Sequence, residues 1–83
     1  MAIYFHPHAL ERMKERGATE EEVINTVEKG EQFPVKFNRI GYRRNFLFQS
    51  DWGGKYYRTK QVEAYVVREN ADLLVITVIT RYF

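Results

Sequence analysis

Apolar and polar positions in the first thirty residues follow a helical period. From Pro7 to Arg16, Ala9, Leu10 and Met13 fall on one arc and Glu11, Lys14 and Glu15 on the opposite arc. That is the pattern of a helix half buried on a core. Pro7 suits a first helical turn, where its missing N–H has no partner to lose. Gly17 suits the left-handed residue that ends a helix. A second helix opens at Thr19, whose spacing to Glu22 is that of a capping box, and Glu20, Glu21 and Glu22 lie against the positive end of its dipole. Val23, Ile24 and Val27 form its apolar face, and Lys29-Gly30 its stop. A turn centred on Ala18 joins the two, so a helical hairpin is expected. Ahead of it, Ala2–His6 is bulky and alternating, which predicts a short opening strand.

After Gly30 the period changes to two. Pro34 limits Gln32–Phe37 to an edge strand or an extended connection. Tyr42–Gln49 reads as a strand, and Ser50–Lys55 supplies turn residues. Tyr56–Arg68 is a longer extended stretch, expected to bend or bulge near Thr59-Lys60, with its best strand from Gln61 to Arg68. Residues Glu69–Asp72 turn the chain into Leu73–Tyr82, a nearly unbroken apolar run of the kind a central strand carries. In that run Leu74, Ile76 and Val78 are expected to face the helices, and Thr77 and Arg81 the other side. Three consecutive antiparallel strands after two helices imply an α+β domain: a helical hairpin packed on an antiparallel sheet of three to four strands.

Composition narrows this further. At 83 residues there is room for one domain, residues 1–83, and a hydrophobic share of 45% supports a compact core. With no cysteine, disulfides and thiolate chemistry are excluded, and two histidines do not make up a familiar zinc set. No metal or other cofactor is expected. No stretch reads as a signal peptide or a membrane span, so a cytoplasmic protein without membrane contact is the expectation. The net charge of +2 is unevenly placed. Residues 1–30 carry four Lys/Arg against six Asp/Glu, residues 31–60 seven against two, and residues 61–83 two against three. A middle third at +5 points to a polyanionic partner.

Candidate chemistry begins with His8, Arg12 and Arg16, spaced i, i+4, i+8 along the border of the first helix's apolar arc. Metal-free RNA cleavage needs a base for the ribose 2′-OH, an acid for the leaving oxygen, and cations on the phosphorane. Imidazole is the side chain suited to acid or base work near neutral pH, which recommends His8; Arg12 and Arg16 suit phosphate oxygens. The plainer reading is a solvated histidine, with Arg12 paired to Glu15 on an exposed face. Arg43 and Arg44 point to opposite sides of a strand, so at most one lies on a given face. Those two, Lys60, Trp52 and Tyr57 are candidate nucleic-acid contacts. Their plainer roles are surface charge and, for Trp52, a lid over an apolar edge. Tyr65 and Tyr82 are further hydroxyls without a distinguishing spacing, and Arg81 reads as a terminal surface charge.

H-A-L-E-R-M-K-E-R-G followed by T-E-E-E-V, with the closing V-I-T-V-I-T-R-Y-F, resembles a family of small prokaryotic proteins catalogued as domain of unknown function 4258. The middle, N-F-L-F-Q-S-D-W-G-G-K-Y-Y-R-T-K-Q-V, is similar to a subset of that family. The resemblance implies a RelE/ParE-like layout, shared with metal-independent ribonucleases whose open sheet face holds the RNA. By position it implies His8, Arg12, Arg16 and Thr77 as site residues; Tyr82 joins them as a lower-ranked member. His6 departs from the small hydroxyl residue often found before the helix. The function expected is therefore an RNA-acting, toxin-type ribonuclease with an antitoxin protein as partner. The rivals are a noncatalytic nucleic-acid- or protein-binding module and a ParE-like topoisomerase inhibitor.

Overall fold

The computed structural model describes all 83 residues: β1 (Ile3–Phe5), α1 (Pro7–Arg16), α2 (Glu20–Lys29), β2 (Glu31–Val35), β3 (Arg39–Trp52), β4 (Lys55–Glu69) and β5 (Asp72–Tyr82). The strands form one sheet in the order β1-β5-β4-β3-β2. There are therefore five strands rather than three to four. The sheet is mixed, because β1 lies parallel to β5, with Ile3 opposite Leu73 and Phe5 opposite Val75. The other pairings are antiparallel. The apolar run of β5 is flanked on both sides, but β4 occupies the centre.

Both helices start and stop as their local chemistry dictates. Thr19 and Glu22 exchange the two bonds of a capping box. The α1 N-cap is His6, whose Nδ1 accepts the His8 N–H at 3.0 Å, the job a small hydroxyl residue does elsewhere. Gly17 takes the left-handed conformation at φ 76°. The helices are consecutive, yet what each packs on is the sheet: α1 on β5, α2 on β4 and β3. The hairpin expected from the sequence is thus one of connectivity, not of helix-on-helix packing.

The core between layers is built mostly from small side chains. Ala9 and Met13 of α1, Val23 and Val27 of α2, Val62, Ala64 and Val66 of β4, and Leu73, Val75 and Val78 of β5 are buried. The helix-facing set in β5 differs from the expected Leu74, Ile76 and Val78. Register slips between Tyr65 and Val66, where Tyr65 pairs Thr77 but Val66 pairs Val75, leaving Ile76 as an extra residue. One extra residue in a period of two exchanges the faces. Leu73 and Val75 therefore point inward before the bulge, and Val78, Thr80 and Tyr82 after it. A second bulge falls between Leu47 and Ser50, opposite Arg58; the extra residue lies in β3, not in β4, where a bend near Thr59-Lys60 was expected. Gly53 and Gly54, at φ 61° and 84°, close the β3–β4 hairpin as a two-residue turn. Pro34 sits on the outermost strand, where its missing N–H costs no ladder bond.

Candidate functional site

The residues singled out by sequence divide among three places. The first is a junction beneath the α1–α2 turn. A helix ends with orphan carbonyls that need donors. Here the Arg16 carbonyl accepts from the Thr80 hydroxyl at 2.9 Å and the Tyr82 hydroxyl at 2.7 Å. The Gly17 carbonyl accepts from Lys60 Nζ at 2.8 Å, and the same ammonium reaches the Glu22 carboxylate at 2.9 Å. Lys60 is only 5% exposed and lies 5.2 Å from the Phe48 ring centroid. Trp52 stacks on Tyr82 at 5.0 Å, with Tyr57 5.7 Å from the same ring. Burial raises the Tyr82 phenol above its ordinary value. The Arg16 guanidinium donates to the Val78 carbonyl at 2.6 Å. Arg16, Lys60, Trp52, Tyr57 and Tyr82 do converge, as a lock holding the helical layer on the sheet.

The second place is the solvent side of α1. His8 is exposed, its ring 6.5 Å from that of His6. Arg12 pairs with Glu15 at 2.8 Å, the in-register partner that helical spacing offers. Arg44 lies apart from both, over the end of α2, with Nη1 3.4 Å from the Lys29 carbonyl. No single pocket gathers His8, Arg12, Arg16, Thr77 and Tyr82.

The third place is the sheet face that the helices leave uncovered. Alternation puts Gln61, Glu63 and Tyr65 of β4 on it, beside Arg81 and Thr77 of β5 and Arg43 of β3. Glu63 is the unusual residue, a carboxylate only 6% exposed. Its Oε1 accepts from the Tyr65 hydroxyl at 2.8 Å, and its Oε2 from Arg81 Nη1. Tyr65 meets Phe33 edge to face at 6.0 Å. The Arg43 guanidinium lies 4.6 Å from the centroid of that Phe33 ring and bonds Glu31 at 2.5 Å. A Cβ on Gly41 would come within 2.4 Å of Phe33, so the glycine is what lets the ring lie down on the strand. A connected row, Arg43–Phe33–Tyr65–Glu63–Arg81, thus crosses four strands. Gln61 Nε2 and Asn45 Oδ1, 3.0 Å apart, lie beside it.

This row has the parts that phosphodiester chemistry uses. A carboxylate oxygen bonded once keeps a lone pair free for a proton. Arg81, with half its side chain exposed and one nitrogen on Glu63, keeps further donors for an anion. Burial, then the bond to Glu63, raises the Tyr65 phenol above its ordinary value and keeps it a donor. Thr77 sits directly opposite Tyr65, on the same face. Sequence reasoning missed Glu63 and Phe33 and left Arg81 as surface charge. The one local signal was a carboxylate inside a strand, where such residues are depleted. No three His, Asp or Glu side chains come together as a metal site.

No curated protein and no solved structure matches the chain. The family described as Domain of unknown function (DUF4258) matches residues 5–80, nearly the whole chain. The chain belongs to the DUF4258 family.

Proposed function

We propose that this protein acts on RNA through the open face of its sheet, as a metal-independent ribonuclease of RelE/ParE-like, toxin type. The observation that carries the reading is Glu63, a buried carboxylate on the uncovered face, held between a tyrosine hydroxyl and an arginine. In this mechanism Glu63 takes the proton of a ribose 2′-OH as the O2′–P bond forms. The P–O5′ bond breaks, and the departing oxygen takes a proton from solvent. Arg81 and Arg43 neutralise the phosphorane, and the Phe33–Tyr65 pair offers a surface on which a base stacks. Tyr65 positions Glu63. A cytoplasmic protein countered by an antitoxin is the biological setting that goes with this chemistry. No helix is long and apolar enough to cross a membrane.

A second reading is a noncatalytic RNA-binding module. It is favoured by the fact that both Glu63 oxygens already have partners. Both readings require RNA on the open face, and fluorescence anisotropy with a labelled single-stranded RNA tests that. Affinity should fall steeply with salt, and Arg81→Ala and Arg43→Ala should each weaken it and flatten the slope by about one phosphate contact. Binding that is unchanged in both variants but lost in Arg12→Ala would move the RNA to α1. No binding even at low salt would refute both readings.

A further inference from the structure

A strand edge with no neighbour is a pairing template unless something blunts it. This sheet blunts most of its edges. The outermost strands β1 and β2 are three and five residues long, and β2 carries Pro34. Past Val75, β5 has no strand on its β1 side, and there the Arg16 guanidinium takes the Val78 carbonyl. The exception is β3. Its partner β2 covers it only from Arg39 to Arg43, while β3 continues to Trp52. Pro34 has no N–H, so its pair with Ile40 belongs to the phase without ladder bonds, and odd-numbered β3 residues present their backbone outward. The Arg43 carbonyl fits this phase, since it lies 2.6 Å from where a Gly30 Cβ would be. Continued past Arg43, the phase leaves the N–H and C=O of Asn45 and Leu47 directed away from the sheet.

Side chains around this edge specify what would pair with it. A polar groove of about 230 Å³ opens there, lined by Glu31, Arg43, Arg44, Asn45 and Gln61. Arg43 and Arg44 project to opposite faces and so straddle the edge. Leu47, on the Arg43 face, is 73% exposed. We infer that the β3 edge is a docking site for an extended acidic segment of a partner protein, added as a sixth strand. Glu31 already stands opposite Arg43 and holds its guanidinium, so the segment begins beyond it; consecutive carboxylates there point to opposite faces, one toward Arg44, which has no carboxylate partner, and one toward the solvent side of Arg43. An aliphatic residue further along covers Leu47. A second copy of this chain is a poor occupant, because edge-to-edge pairing would gather two Arg43–Arg44 pairs along one seam. The inference does not depend on the RNA reading.

The test uses two blocked synthetic peptides, an Asp-Asp-Thr-Val-Leu segment within an extended Thr/Val context and its Lys-Lys counterpart. Amide exchange and chemical shifts are followed by NMR on the full chain. The acidic peptide should protect the Asn45 and Leu47 amides and bind more tightly than the Lys-Lys peptide. Leu47→Pro removes an outward N–H without breaking a ladder bond and should weaken binding at least about tenfold, the equivalent of ~1.4 kcal/mol. Arg44→Glu, a check that does not alter the backbone, should weaken it similarly. Equal binding of both peptides, or unchanged binding in Leu47→Pro and Arg44→Glu, would overturn the proposal. So would protection of the edge by single-stranded RNA and not by the acidic peptide, which would assign these arginines to nucleic acid.

Discussion

At the scale of single residues, Gly17 and Lys60 show how much depends on the α1–α2 turn. Gly17 is held by two independent constraints, a φ of 76° and a surface already occupied by aromatic rings. A Cβ there would lie 2.7 Å from the Trp52 ring and from the Tyr82 hydroxyl. Gly17→Ala should cost at least ~2 kcal/mol, combining the left-handed penalty with displacement of Trp52. Urea denaturation measures it, and a cost near zero would mean that the turn relaxes freely. Lys60→Met leaves the Gly17 carbonyl without its donor and the Glu22 carboxylate with only the Thr19 N–H, and should cost about 2 kcal/mol. If Lys60 instead served RNA, the same change would lower affinity and leave stability intact. The tyrosines add a dependence on pH. Tyr65 and Tyr82 both have phenols raised by burial, so the fold holds their protons more tightly than the unfolded chain does. Their contribution is complete below the ordinary value of 10.0 and is lost as pH rises through the raised folded values. Denaturant midpoints should fall above pH 10, and less steeply in Tyr65→Phe.

At the scale of elements, legibility followed the distance over which information is written. The Thr19–Glu22 box and the Gly17 stop each lie within a few residues, and both helices could be read from them. Pro34 marked an edge strand by itself, because a missing N–H excludes a central position. The opening strand was legible in its alternation, but its pairing with β5 was not, since the partner lies some seventy residues on, as in the Ala2–Asp72 bond. The β5 bulge was hidden for another reason: Leu73 to Ile79 is apolar at nearly every position, so both parities look like a core face. That bulge supplies a sharp test. Deleting Ile76 removes the extra residue and leaves Leu73, Val75, Val78, Thr80 and Tyr82 at alternate positions, all still facing the helices. A bulge-free pairing of the intact strand would instead expose one of the two sets, and exposing Leu73 and Val75 alone forfeits ~3–6 kcal/mol, comparable with the whole stability of a small domain. The deletion variant should therefore fold with its core intact, as circular dichroism would show. A deletion variant that fails to fold would contradict the register.

At the scale of the whole molecule, the two faces of the sheet divide the work. The helical face holds the core and the junction lock, and it absorbs Arg16, Lys60, Trp52 and Tyr82, residues the sequence had marked for chemistry. The open face assembles Glu63, Tyr65, Arg81, Phe33 and Arg43 from four strands. No linear motif could have announced that set, because only strand register and the Ile76 bulge bring Glu63 and Arg81, 18 residues apart, into contact. His8 and Arg12 remain on the outer side of α1, where spacing had placed them. The measurement that bears most directly on the central proposal is cleavage of a labelled RNA pool in EDTA. Wild type, Glu63→Gln and His8→Ala would be compared, with folding of each verified. Cleavage that falls at least ~100-fold in Glu63→Gln and persists in His8→Ala is the predicted result. Cleavage that survives Glu63→Gln and disappears in His8→Ala would contradict it and return the chemistry to the first helix.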